Sequence, residues 1–135
     1  MIFMFENLNV YKKAIDFVDN LYSLCDNLKQ SSLSKIADQL RRASLSIPLN
    51  IAEGCGRFHN KERKQFYKVS RGSLHECVPL LEMLLRRKQL SKEEFINLYN
   101  NADQIGMMLN GLIRSVDNYV NRKADSRKAE NPISV

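Results

Sequence analysis

The sequence has little of what breaks up or cross-links a chain: 5 glycines, 3 prolines and no tryptophan in 135 residues. An all-β protein needs a turn about every ten residues, so this composition argues against that class and favours long helices. The three cysteines are an odd number, and no two lie at a metal-ligand spacing, which is typical of a protein kept in a reducing compartment. We therefore expect a cytoplasmic protein without disulfides.

Catalytic and metal-binding residue types are also scarce. His59 and His75 are the only histidines, and no helix face collects enough His, Cys or acidic residues for a metal site. A nucleophile pair of Cys55 and His59 would have to span the loop between two helices, and we do not expect it. The sequence predicts no enzyme, no metal, no cofactor and no small-molecule substrate.

Long apolar runs are absent. No stretch approaches the roughly 20 apolar residues of a membrane span, and the short apolar start lacks the basic residues and length of a signal peptide. We expect no membrane partner. The net charge is +6, from 21 basic and 15 acidic residues, which attracts polyanions but is weak evidence until the charges are located.

Four stretches carry apolar residues at steps of three and four, the spacing of one helix face. The predicted helices run from Asn9 to Leu28, from Ser32 or Ser34 to Gly54, from Asn60 to Lys88, and from Ser91 to Val120. Short connectors predict antiparallel packing, so residues 1–120 are expected to form an up-down four-helix bundle. Residues 121–135 lose the periodicity and are expected to be a polar, disordered tail.

Three local features refine this prediction. Ser91 and Glu94 form a capping box that begins the fourth helix. Gly54 and Gly56 are expected to end the second helix in the left-handed conformation. The third helix is expected to bury an apolar stripe of Phe66, Val69, Ser73, Cys77, Leu80, Leu81 and Leu84.

The second predicted helix carries a polar ribbon beside its apolar stripe. Gln39, Arg42, Ser46, Asn50 and Glu53 fall within about 80° on a helical wheel. They could form a cleft for binding or catalysis, or a hydrogen-bonded network that fixes helix register; we favour the network because polar groups between helices must be paired. The expected structural polar network is Arg42, Ser46, Asn50 and Glu53 with Ser73 and Glu76 of the third helix.

The opposite side of the same helix carries Leu45, Leu49 and Ala52. These residues would form an exposed apolar patch in a monomer, and such patches are often covered by another chain. We expect them to form the interface of a homo-oligomer.

Basic residues cluster at the start of the third helix. Between Arg57 and Arg71 there are six Lys or Arg residues against one acidic residue, Glu62. Phosphate recognition needs cations spaced along a face, and Phe58 or Tyr67 could stack on a base. A solvated helix surface is the plainer alternative. The candidate nucleic-acid-binding residues are Arg57, Lys61, Arg63, Lys64, Lys68, Arg71, Arg86, Arg87 and Lys88, with a third basic group in the tail.

Several segments together resemble a known family. They are residues 5–14, FENLNVYKKA; residues 39–54, QLRRASLSIPLNIAEG; Gly72-Ser73-Leu74-His75-Glu76; and residues 109–115, LNGLIRS. Over roughly residues 5 to 120 the sequence is similar to the bacterial four-helix-bundle family of 23S rRNA intervening-sequence proteins. Tyr11 stands where that family usually has Trp.

The resemblance implies a bundle that assembles as a ring-like homopentamer and has no established enzymatic activity. It also implies a relationship to a branch that accompanies diversity-generating retroelements and binds nucleic acid and a reverse transcriptase through a basic surface. The leading hypothesis is therefore a homo-oligomer that binds rRNA, other nucleic acid or ribonucleoprotein. A protein-binding scaffold with incidental basic charge is the second, and an enzyme using Arg42, Asn50 and Glu53 the third.

Overall fold

The computed structural model describes residues 3–28 and 30–130, and in that part of the chain it contains helices and no strand. The long helices are α1 (Asn9–Asp26), α2 (Ser34–Cys55), α3 (Asn60–Arg86) and α4 (Lys92–Glu130). Short 3-10 turns, Met4–Asn7 and Ser31–Leu33, precede α1 and α2. The predicted all-α class and its four helices are confirmed.

Contacts between the helices establish the up-down topology. Between α2 and α3 and between α3 and α4 they advance along one helix while they retreat along its neighbour, and α1 packs on α4 in the same antiparallel sense. The contacts between α1 and α2 join the end of α1 to the first turns of α2. Between α1 and α2, Cys25 contacts Ala37 and Asp26 contacts Arg41. Between α2 and α3, Ser46 contacts Ser73 and Gly54 contacts Tyr67. Between α3 and α4, Arg71 contacts Asn110 and Lys64 contacts Asp117. Between α1 and α4, residues 13–20 line a groove with 101–105, and residues 20–27 another with 90–101.

The start of α4 follows the sequence prediction. The Ser91 hydroxyl accepts the Glu94 amide at 3.1 Å, and the Glu94 carboxylate accepts the Ser91 amide at 3.4 Å. Each side chain satisfies a backbone donor that a helix start would otherwise leave unpaired. The capping box is confirmed.

The two glycines at the end of α2 do something other than predicted. Gly56 is right-handed, with φ −80°, and none of the described glycines has a positive φ. Gly54 lies inside the helix and is buried. A Cβ on Gly54 would stand 2.5 Å from Cε1 of Tyr67 and 3.1 Å from the Arg63 carbonyl oxygen. The prediction of a left-handed cap was therefore wrong. Glycine is needed at position 54 because α3 passes too close to α2 to leave room for a side chain there.

The close approach of α2 and α3 also determines which residues of α3 are buried, and these differ from the predicted apolar stripe. Val69 is 43% exposed and Ser73 only half-buried, whereas Tyr67, Ser70 and Leu74 are buried. The predicted stripe is therefore wrong by one position in its first half and correct at Cys77, Leu81 and Leu84. The Ser70 hydroxyl donates to the Ile47 carbonyl at 2.9 Å, so a small polar residue is accommodated in the core.

The predicted tail differs from the structure as well. α4 continues through Glu130, so residues 121–130 are helical and not disordered; residues 131–135 lie outside the described residues. Residues 121–129 are exposed, which explains the missing apolar periodicity. Ala, Lys and Arg in this stretch are good helix formers, and the helix extends without a core to cover.

Replacing Gly54 should separate close packing from helix propensity. We expect Gly54→Ala to destabilise the protein by about 1–2 kcal/mol, because the added methyl collides with a buried ring. The matched control is Gly72→Ala in α3, where an added Cβ meets nothing within 4 Å. That change should stabilise by about 0.5–1 kcal/mol through helix propensity alone. Urea unfolding measures both; equal shifts of the two variants would contradict the packing argument.

The cysteines should differ in reactivity. Burial raises the pKa of the Cys77 thiol to about 12 and also raises that of Cys25, while Cys55 is partly exposed. Because the thiolate is the nucleophile, these shifts leave Cys25 and Cys77 protonated at pH 8. We expect a thiol reagent to label Cys55 alone in the folded protein and all three in concentrated urea, as intact mass would show. Rapid labelling of a second thiol without urea would contradict this packing.

Candidate nucleic-acid interface

The basic residues of α3 form a stripe along its flank. Lys61, Lys64, Lys68 and Arg71 recur at steps of three and four, which places them on one side of the helix. Lys61 and Lys68 are exposed, and none of the described carboxylates lies within ion-pair distance of either. These two are therefore the cations of the stripe available to a polyanion.

The inner members of the stripe bind α4 instead. Lys64 Nζ donates to the Asp117 carboxylate at 2.7 Å, and the Arg71 guanidinium donates to the Asn110 amide oxygen at 2.9 Å. Both side chains are partly buried. Their positive charges join α3 to α4 and face a polyanion less directly than Lys61 and Lys68 do.

The remaining predicted residues do not join one site. Arg57 pairs with Glu53 at 3.0 Å and lies over the Phe66 ring, on the α2 side. Arg86, Arg87 and Lys88 are exposed in the turn that ends α3. Arg86 follows Lys61 by about 25 residues, which is roughly 37 Å along a helix. The structure thus separates eight of the nine candidate residues into three groups, and the ninth, Arg63, is half-buried on α3.

The end of α4 adds cations beside the start of α3. Because Lys64 contacts Asp117 in an antiparallel pair, Asn60 lies level with about residue 121, and α4 extends beyond α3 by about 14 Å. All four basic residues of this segment are exposed. We call the following set the basic end: Lys61, Arg63 and Lys68 of α3 with Arg122, Lys123, Arg127 and Lys128 of α4.

A cleft of about 670 Å³ lies at the basic end, between the α2–α3 loop and α4. Phe58 stands at this cleft with 92% of its surface exposed, and its ring meets that of His59 edge-on. The lining residues are Phe58, His59, Asn60, Arg63 and Tyr67 on one side, and Leu112, Ser115, Val116, Tyr119 and Lys123 on the other. We call this the Phe58 cleft.

Two lining residues are fixed by packing. Tyr67 is buried, its hydroxyl lies 3.4 Å from Cys55 Sγ, and burial raises its pKa far above the ordinary value, so it stays protonated. The buried Nε of Arg63 has no hydrogen-bond partner among the described residues. Tyr67 therefore forms a wall of the cleft and cannot stack on a base, whereas Phe58 can.

The α4 side of this cleft was not predicted from the sequence. Tyr119 and Lys123 lie one turn apart, and Lys123 Nζ is 5.5 Å from the centre of the Tyr119 ring. The signal was available in the helix-forming residues between Gly111 and Asn131, a stretch with neither Gly nor Pro. The apolar periodicity of this stretch is too weak to have indicated that the helix continues.

The polar ribbon of α2 forms a smaller network than predicted. The Asn50 amide donates to the Ser46 hydroxyl at 2.9 Å and to the Ser46 carbonyl at 2.8 Å, and the Ser73 hydroxyl donates to Ser46 at 2.8 Å. Arg42 bonds to Gln39 and Glu53 to Arg57, both within about one turn of their own positions. The expected pairing of Arg42 and Glu53 with α3 was wrong, because both are exposed and reach local partners first. Glu76 is exposed, and no described residue bonds to its carboxylate.

The apolar side of α2 lies on the surface of the single chain. Leu45 is 40% and Leu49 55% exposed, and Ala52 is half-buried. Asp38 and Arg41 on the neighbouring turns form an ion pair at 3.5 Å.

In residues 3–28 and 30–130, no helix is long and apolar enough to cross a bilayer, and no three His, Cys, Asp or Glu side chains are placed to hold a metal ion.

Comparison with known proteins gives a family match and a structural match. The model of the 23S rRNA-intervening sequence protein family matches residues 6–111. No curated protein matches the sequence. A crystal structure of a protein of unknown function from the S23 ribosomal protein family of Bacteroides thetaiotaomicron is 20% identical, with a TM-score of 0.70 over 78% of this chain and 95% of that chain. At this identity the structural likeness shows the fold alone. The five α4 residues of the Phe58 cleft all follow the family match.

Proposed function

The chain belongs to the 23S rRNA-intervening sequence protein family, and on that premise we propose that it is a non-enzymatic homo-oligomer, a pentamer, that engages RNA or ribonucleoprotein through its basic end. The observation that carries the proposal is the exposure of Lys61 and Lys68 without a carboxylate partner among the described residues. Such cations release condensed counterions when they bind phosphates, which drives association with nucleic acid.

Charge placement supports this choice over a merely solvated surface. Basic residues of two helices far apart in sequence lie at the same end of the bundle, while Asp117, an acidic residue between them, is paired with Lys64. Oligomerisation would multiply the +6 of each chain and increase the attraction of a polyanion.

An enzyme built on the polar ribbon has less support. Arg42 and Glu53 bond along α2 and do not converge on Asn50, whose amide is taken by Ser46. The Phe58 cleft lies elsewhere and is lined by other residues. Nothing in the ribbon holds a nucleophile next to a base.

A protein-binding scaffold is the second candidate, and the exposed Leu45 and Leu49 favour it. The same surface serves the oligomer in our proposal. Pull-down after nuclease treatment distinguishes the two, because a partner held by RNA is lost and a partner held directly remains.

The apolar surface of α2 should control assembly. We expect Leu45→Glu with Leu49→Glu to give a monomer of 15.6 kDa, whereas the unmodified protein has five times that mass, because charges on an interface core oppose its burial. Mass photometry or light scattering measures the mass. Ile96→Glu with Met107→Glu, also exposed and apolar, is the matched control and should stay pentameric. An unmodified protein that is monomeric would contradict the pentamer.

Removing the free lysines should weaken RNA binding and its dependence on salt. We expect Lys61→Gln with Lys68→Gln to reduce the slope of log affinity against log salt by roughly 1.4 for a single strand, since each lost phosphate contact accounts for about 0.7. The control is Lys12→Gln with Lys13→Gln, at two exposed positions of α1, which removes the same charge from a surface outside the basic end. Fluorescence anisotropy over a salt series gives the slopes; identical slopes for both double variants would contradict a role for the stripe.

A further inference from the structure

We infer that the Phe58 cleft receives an unpaired base of the bound RNA, with that base stacked on Phe58; this rests on the proposed function. Phe58 has 92% of its surface exposed, more than any other large apolar residue described. A ring this exposed adds nothing to the core of the single chain. Aromatic rings that are open to solvent and flanked by cations are the platforms on which single-stranded nucleic acids stack.

The cleft beside Phe58 has the surfaces that a base requires. Leu112 and Val116 supply apolar contact, while Asn60 and Ser115 supply groups that donate and accept hydrogen bonds. Arg63 also lines the cleft and adds the positive charge of its guanidinium. A base presents two flat faces and a polar edge, so it can stack and bond there at once.

Cations lie in the cleft and beside it. Lys123 lines the cleft, where it rests over Tyr119, and Lys61, in the first turn of α3, lines the adjoining groove that shares His59 and Asn60 with the cleft. A strand that places one base in the cleft can therefore lay its phosphates toward either lysine. The volume of about 670 Å³ falls in the range of sites that hold small molecules or single residues of a polymer.

This arrangement selects single strands over duplexes. In a duplex the bases are stacked on each other, and the A-form major groove is too deep and narrow for side chains to read. A duplex can still use the phosphate contacts of Lys61 and Lys68 but cannot insert a base beside Phe58. Preference for unpaired RNA is the consequence that distinguishes the cleft from the basic stripe alone.

The chain contains no tryptophan, which makes a direct test available. We expect emission of Phe58→Trp to be quenched when a 12-nucleotide single-stranded RNA is added at low salt, because a base stacks on the indole. The matched control is Tyr99→Trp on α4, a half-exposed aromatic position outside the cleft. Its emission should change little. Equal quenching at both positions would overturn the inference.

Affinities provide the second measurement. Phe58→Ala should weaken binding of the single strand about tenfold, as expected for one lost stacking contact, and leave the salt slope and the duplex affinity unchanged. Phe58→Tyr, which keeps the ring, should retain the affinity. If Phe58→Ala binds the single strand as well as the unmodified protein does, the cleft inference fails and RNA binding by the stripe stands. If the unmodified protein binds neither RNA at low salt, both fail.

Discussion

The contact of Gly54 with the Tyr67 ring sets the distance between α2 and α3, and the rest of the structure depends on it. With no Cβ at Gly54, the two helices meet closely enough to bury Tyr67 and to bring its hydroxyl to Cys55. The chain then turns over only four residues, 56–59, between two rigid helices. That short turn leaves the Phe58 ring in edge-on contact with His59 but otherwise open to solvent, and puts it at the mouth of a cleft. The same contact therefore accounts for a feature of the core and for the exposed ring that we assign to RNA.

Antiparallel packing then determines where charge accumulates. The start of α3 and the end of α4 must lie at one end of the bundle, and both carry basic residues. Lys64 and Arg71 donate hydrogen bonds to residues of α4, and these bonds stabilise the α3–α4 contact. The charges that hold the bundle together are therefore different residues from the charges that stay exposed. The extension of α4 past α3 enlarges this end without adding to the core. Neighbouring residues of one helix thus either pair with α4, as Lys64 and Arg71 do, or stay exposed, as Lys61 and Lys68 do.

The sequence predicted the parts of the fold that repeat. Four apolar stripes, the antiparallel order and the Ser91 capping box follow from periodicity and local hydrogen bonding, which depend on near neighbours in the chain. Gly54 could not be assigned correctly, because its role depends on Tyr67, a residue of the next helix. The shifted stripe in α3 has the same origin: Phe66, Tyr67 and Val69 are all apolar, and only the close approach of α2 selects Tyr67 for burial. For the site, charge clustering predicted Lys61 and Lys68, but the α4 wall with Tyr119 and Lys123 needed the length of α4.

We propose that RNA binds at one end of the bundle, and cross-linking would locate it most directly. Single-stranded RNA containing 4-thiouridine, bound to the unmodified protein and irradiated, would be mapped by mass spectrometry of the digested peptides. We expect cross-links in the α2–α3 loop at Phe58 and His59 and on α4 near Tyr119, where bases approach aromatic rings. Cross-links confined to the turn at Arg86–Lys88, at the other end of α3, would contradict the account.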